Sequence, residues 1–99
     1  MPARVRWTRR ALADLDRILG YIALDNPIAA ERVAAEIEER TTRLGQFPLM
    51  GRLGALPGTR EFLVRRTYLV TYRVDAAQVE ILQVWHTAQR RNPRDRTPP

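Results

Sequence analysis

The chain has 99 residues, 44% of them apolar, with seventeen basic and eleven acidic side chains, a net charge of +6 at pH 7, one histidine and no cysteine. Such a length and composition predict one globular domain around one core, and they exclude disulfides, thiolate metal sites and a cysteine nucleophile. The longest apolar run, 18–24, falls short of the roughly 20 residues that cross a bilayer, and no signal-peptide pattern follows the charged start, so a soluble, cytoplasmic chain without a membrane partner is expected.

The opening "ARVRW" alternates small or apolar residues with arginines, which predicts a short strand with Ala3, Val5 and Trp7 facing inward. Thr8 stands where an N-cap belongs. Behind it Ala11 or Leu12, Leu15, Ile18 or Leu19, and Ile22 recur every three or four residues, one face of a helix ending near Leu24. In "DNP", 25–27, Asn26 caps and Pro27 suits the first position of a second helix, where its missing donor costs nothing. That helix places Ala30, Val33, Ile37, Thr41 and Leu44 inside, turns "EIEER" outward, and meets Gly45 at its C′ position. So short a joint predicts an antiparallel helical hairpin.

Glycine and proline interrupt the periodicity over 46–58, predicting a loop. Three strand-like stretches follow: 60–65, 68–74 and 78–86. The second alternates cleanly, with Tyr68, Val70, Tyr72 and Val74 on one face. The third is apolar on both, Val79 and Ile81 on one face and Leu82 and Val84 on the other, as in a central strand covered on both sides. "DAAQ" joins these two as a hairpin loop. The predicted class is α+β, a small and mostly antiparallel sheet packed against an α-helical hairpin in the order β-α-α-β-β-β. Residues 1–90 form the domain, and the "RRNPRDRTPP" end predicts a flexible tail over 91–99.

All the basic residues are arginine, whose planar fork of donors suits phosphate and carboxylate. Residues 86–99 carry Arg90, Arg91, Arg94 and Arg96 against Asp95, a net +3 and half the excess charge. With one histidine and no cysteine, no metal site is expected. No glycine loop for a nucleotide is visible, and the absence of serine removes that nucleophile. No cofactor is expected.

The phrases "VRWTRRALADLDRILGYIA", "DNP", "FPLMGR", "REFLVRRTYLVTYRV" and "ILQVWHTAQRR", in this order and spacing, resemble the RelE/ParE superfamily of toxins from type II toxin–antitoxin operons, over residues 3–91. The resemblance implies a toxin held in a hetero-oligomeric complex by a cognate antitoxin, whose C-terminal segment folds on binding. Its members include ribosome-dependent messenger-RNA nucleases similar to RelE and DNA gyrase inhibitors similar to ParE. A fold of this kind does not choose between them.

Metal-free RNA cleavage needs a base, an acid and cations around the phosphate. His86 could serve as base or acid, Arg65, Arg66 or Arg73 could hold the phosphate, and Tyr72 could stack on a base or donate a proton. In RelE-like nucleases an arginine stands three residues before the tyrosine of the middle strand; here that position is Leu69. The resemblance therefore leans toward a ParE-like gyrase inhibitor without a catalytic set. The alternatives are a RelE-like ribosome-dependent mRNA endonuclease and a non-toxic member that acts only as a binding partner. The residues expected to meet a partner or target are Arg60, Arg65, Arg66, Arg73, Trp85, His86, Arg90 and Arg91. Each type also has a purely structural explanation: a histidine packed at a strand end, tyrosines packed in the sheet and arginines solvated beside a turn.

Overall fold

The structure is a computed structural model and describes residues 2–76 and 78–88. Arg90, Arg91 and the expected tail at 91–99 lie outside the described residues. The elements are β1 (Arg4–Trp7), α1 (Arg9–Asp25), α2 (Pro27–Arg43), β2 (Arg52–Leu53), β3 (Arg60–Val64), β4 (Tyr68–Asp75) and β5 (Gln78–His86). The expected order holds, with one two-residue strand added inside the predicted loop. The five strands make one sheet in the order β1-β5-β4-β3-β2. Only β1 and β5 run parallel; the other pairs are antiparallel.

Thr8 caps α1 by accepting the Ala11 N–H at 3.1 Å, and Asn26 caps α2 by accepting that of Ala29 at 3.0 Å. Pro27 stands in the first turn of α2. The inner faces of both helices close on one side of the sheet. Ala11, Val33, Ile37 and Leu44 meet Phe62, Val64, Val70, Tyr72, Val79, Ile81 and Val84 in a single core, with Ala3, Val5 and Trp7 packed at its margin.

Two local departures have identifiable causes. Thr71 pairs with Gln83 but Tyr72 with Ile81, so Leu82 is an extra residue, a β-bulge in β5. The bulge resets the alternation, and Val84 joins Val79 and Ile81 on the helix side instead of facing away as simple alternation predicts. His86 follows it there. Gly45 does not adopt a left-handed φ. Glycine is needed because a Cβ at this position would stand 2.9 Å from the Ala3 carbonyl, where the backbone runs against the start of β1 and Ala3 N–H donates to Gly45 C=O at 2.6 Å.

β5 has nine residues and β1 only four, which leaves the upper edge of β5 to be closed otherwise. The start of α1 closes it. Thr8 N–H donates to Ile81 C=O at 3.0 Å, and its hydroxyl donates to Leu82 C=O at 3.1 Å. Asp14, fully buried, accepts the Val84 N–H on Oδ2 at 3.1 Å. Its Oδ1 takes Arg10 Nε at 3.0 Å and Arg17 Nη2 at 3.1 Å. A buried carboxylate is tolerable only with such partners.

Candidate functional site

Three regions hold the residues singled out by sequence or leave concave and apolar surface open. The first is the end of the sheet where β3 turns into β4 and β5 finishes. Thr67 N–H donates to Val64 C=O at 3.2 Å, and Arg65 and Arg66 both have positive φ, 55° and 58°, the two central residues of a type I′ turn. Glycine and asparagine suit that turn, and each arginine there costs about 1 kcal/mol of backbone strain. Arg65 Nε binds the Glu36 carboxylate of α2, while Arg66 is exposed and has no ion-pair partner among the described residues. Beside the turn Tyr68 pairs with His86 across the strands, their rings edge to face at 5.8 Å. His86 is exposed, and its Nδ1 accepts the Ala88 N–H at 3.1 Å.

Below this end runs a groove of about 420 Å³ between the last turns of α1 and the sheet, lined by Arg17, Ile18, Tyr21, Ile22, Asp25, Asn26, Tyr68 and His86. It continues onto the hairpin tip, where Tyr21, Leu24 and Ile28 are exposed.

The second region is the sheet's outer face, away from the helices. Glu61, Thr71 and Gln83 stand in cross-strand register and are buried. With Trp85, Thr59, Ala55 and Leu56 they line a cavity of about 130 Å³. Segment 55–59 is fixed over it, since Gly54 N–H donates to Thr59 C=O at 2.8 Å and the Thr59 hydroxyl to Leu56 C=O at 2.6 Å. Arg52 Nε closes the margin on Glu61 Oε1 at 3.0 Å. Leu69 and Trp85 pair on the same face, both buried, Leu69 completely. Arg73 is exposed further along, opposite Glu80.

The third region is the segment after α2. Tyr72 is wholly buried; its hydroxyl donates to Pro48 C=O at 2.8 Å and accepts the Gly51 N–H at 2.8 Å. Burial holds its pKa above the ordinary 10.0, opposed by the Gly51 hydrogen bond and then by the charge of Arg60. Arg60 donates from Nη1 to Gly51 C=O at 2.8 Å and Leu49 C=O at 3.3 Å.

The residues singled out by sequence are thus dispersed. Arg65, Arg66 and His86 gather at one end, His86 on the helix side. Tyr72 and Arg60 anchor a loop, while Trp85 and Arg73 both lie on the outer face, Trp85 buried there and Arg73 exposed. Asp14 sits on the apolar stripe of α1 and leaves no signal in that periodicity, and "FPLM", which carries the family resemblance, gives no sign in the sequence that its apolar side chains stand exposed. Among the described residues no group of three His, Cys, Asp or Glu could hold a metal ion, and no helix is long and apolar enough to cross a membrane.

Residues 5–91 match the family described as the ParE toxin of the type II toxin–antitoxin system parDE. The Sinorhizobium fredii protein Y4kP is 44% identical over 87 residues, covering 87% of this chain and 90% of its own. Toxin RelE2 of Caulobacter vibrioides is 39% identical over 87 residues, covering 88% and 98%. A chain of the chromosomal ParDE TA system from P. aeruginosa superposes with a TM-score of 0.77 at 28% identity, over 85% of this chain and 95% of that one. The chain belongs to the ParE toxin family of type II toxin–antitoxin systems, within the RelE/ParE superfamily.

Proposed function

We propose that this toxin inhibits DNA gyrase without catalysing a reaction, and that a ParD-like antitoxin neutralises it. The observation that carries the reading is Leu69. Where a RelE-like nuclease places a phosphate-holding arginine, this chain has an alkyl side chain sealed against Trp85, which has no charge to offer a transition state. Of the remaining ingredients, Arg65 and Arg66 share one end of the sheet with His86, but Tyr72 is committed inside to two main-chain groups and Arg73 is exposed on the face opposite His86.

The groove under Tyr68 and His86 suits the antitoxin. Its apolar floor of Ile18, Tyr21, Ile22 and Tyr68 fits one face of an amphipathic helix, and the molecule's net charge of +6 favours an acidic segment. The P. aeruginosa neighbour, part of a ParDE system, supports a partner of the ParD kind. The complex is hetero-oligomeric and cytoplasmic on this reading. One second reading has an observation in its favour: the 39% identity to a protein called Toxin RelE2 suits a ribosome-dependent mRNA endonuclease using His86, Arg65 and Arg66. Expressing the chain in cells and comparing plasmid supercoiling and DNA breakage with messenger-RNA cleavage separates the two. Altered supercoiling with intact transcripts is the expected result; transcript cleavage with unchanged topology would replace it by the nuclease reading.

A further inference from the structure

Residues 47–53 hold an exposed apolar surface in a fixed main-chain conformation. Phe47, Leu49, Met50 and Leu53 are all exposed, Leu49 at 64% and Leu53 at 75%. Four large apolar side chains within one short segment exceed the scattered exposures ordinary on a monomer. A slack loop would fold such side chains onto the body of the protein. This one is held at its carbonyls and amides by Tyr72 and Arg60, and Met50 N–H closes a turn onto Phe47 C=O at 3.1 Å. Gly51 is buried, and a Cβ there would stand 2.7 Å from the Tyr72 hydroxyl and 2.8 Å from Glu61 C=O. The main chain is anchored inward, and the side chains are left outside. Between Leu49 and Leu53 opens a notch of about 230 Å³ that reaches Arg60 and Val74, so the surface has both knob and hollow.

Its charge is one-sided. Residues 43–60 contain Arg43, Arg52 and Arg60 and no Asp or Glu; Arg43 pairs with Glu39 at 3.0 Å and Arg52 with the buried Glu61, while Arg60 donates to main-chain carbonyls that leave its charge uncancelled. Arg52 and Leu53 form β2, the last strand of the sheet, paired only with β3. An apolar centre beside the Arg60 guanidinium, on a molecule of net charge +6, fits a protein segment that carries apolar side chains beside carboxylates. A nucleic acid fits poorly, because the centre has no donors for phosphate. The surface shares no lining residue with the groove under Tyr68 and His86, and its anchor Tyr72 lies four residues along β4 from Tyr68, about 13 Å.

We infer that residues 47–53 are a second docking surface, through which the toxin grips an acidic, apolar-bearing segment of its target protein while the groove under His86 serves the antitoxin. The identity of that target as gyrase rests on the function proposed above; the surface itself does not. The test is the double variant Leu49→Ser, Leu53→Ser, with folding checked by circular dichroism and thermal unfolding. Three measurements are compared with the unaltered toxin: growth arrest on induction, gyrase inhibition, and the Kd for the antitoxin. Growth arrest and gyrase inhibition are expected to weaken at least about tenfold, while the antitoxin Kd stays within about twofold. If the double variant does not fold, Leu53→Glu alone carries the test, since its side chain stands in water and the new carboxylate repels an acidic partner. Full growth arrest in a folded variant overturns the inference. So does lost antitoxin binding with toxicity kept, or loss of a self-dimer with toxicity kept, which would give the surface to the antitoxin or to a second copy. Should the unaltered toxin arrest growth without touching gyrase, the gyrase reading falls and growth arrest alone judges the surface.

Discussion

Replacing Tyr72 with phenylalanine removes one oxygen and leaves two main-chain groups, Pro48 C=O and Gly51 N–H, without their partner. Orphaned buried groups cost about 1–3 kcal/mol each, so Tyr72→Phe is expected to lower the unfolding free energy by about 2 kcal/mol in a urea titration. The same residue sets an alkaline limit. Its folded pKa is raised above 10.0 by burial, so the folded chain binds its proton more tightly than the unfolded one. That stability is complete below pH 10 and is lost as pH rises through the folded pKa. The unfolding free energy of the parent protein should therefore fall more steeply between pH 9 and pH 11 than that of Tyr72→Phe; parallel profiles would show that Tyr72 does not govern it. His86 supplies the functional counterpart. On the gyrase reading His86→Ala keeps growth arrest, whereas removing a general acid or base costs a nuclease a factor of about 10²–10⁴. A folded His86→Ala protein that had lost toxicity through lost RNA cleavage would reverse the assignment.

Between helix and strand the decisive contact is a carboxylate. Asp14 and Thr8 together satisfy the edge of β5 beyond the end of β1, doing for the sheet what a longer first strand would do. Asp14→Ala orphans the Val84 N–H, while Arg10 and Arg17, their side chains 40% and 63% exposed, regain water. The expected loss is about 2 kcal/mol, mostly from the amide, with faster hydrogen exchange at Val84 than at Val79; unchanged protection at Val84 would mean another group closes this edge. The helices were legible because three- and four-residue spacing of apolar side chains survives any detail of packing, and Thr8, Asn26 and Pro27 marked their limits. Asp14 was not, since periodicity counts apolar residues and a buried acid on the same stripe reads as a gap. The bulge at Leu82 was hidden for a related reason: in "ILQVW" both faces are apolar, so a shift of parity leaves no mark. Two-residue β2 is too short for any alternation to declare it.

At the scale of the molecule, the surfaces proposed to meet partners were the least legible part. Sequence pointed to arginines, and the structure gives them unlike tasks: Arg60 holds a loop, Arg65 joins a turn to α2, and Arg66 occupies a strained position facing water. The resemblance located the fold and the family because it rested on the order of whole phrases; the position of Leu69 is visible in sequence, but its burial against Trp85 required the sheet. The groove and the 47–53 surface depend on which apolar residues the core leaves outside, which composition does not specify. The claim that joins these features is that the toxin acts by occupying gyrase and not by cutting RNA. Its most direct test is to titrate the purified toxin into a gyrase supercoiling reaction, with translating ribosomes and messenger RNA assayed in parallel. The account predicts dose-dependent loss of supercoiling, relieved by the antitoxin, and uncut transcripts on the ribosome. Unimpaired supercoiling together with ribosome-dependent cleavage would contradict it.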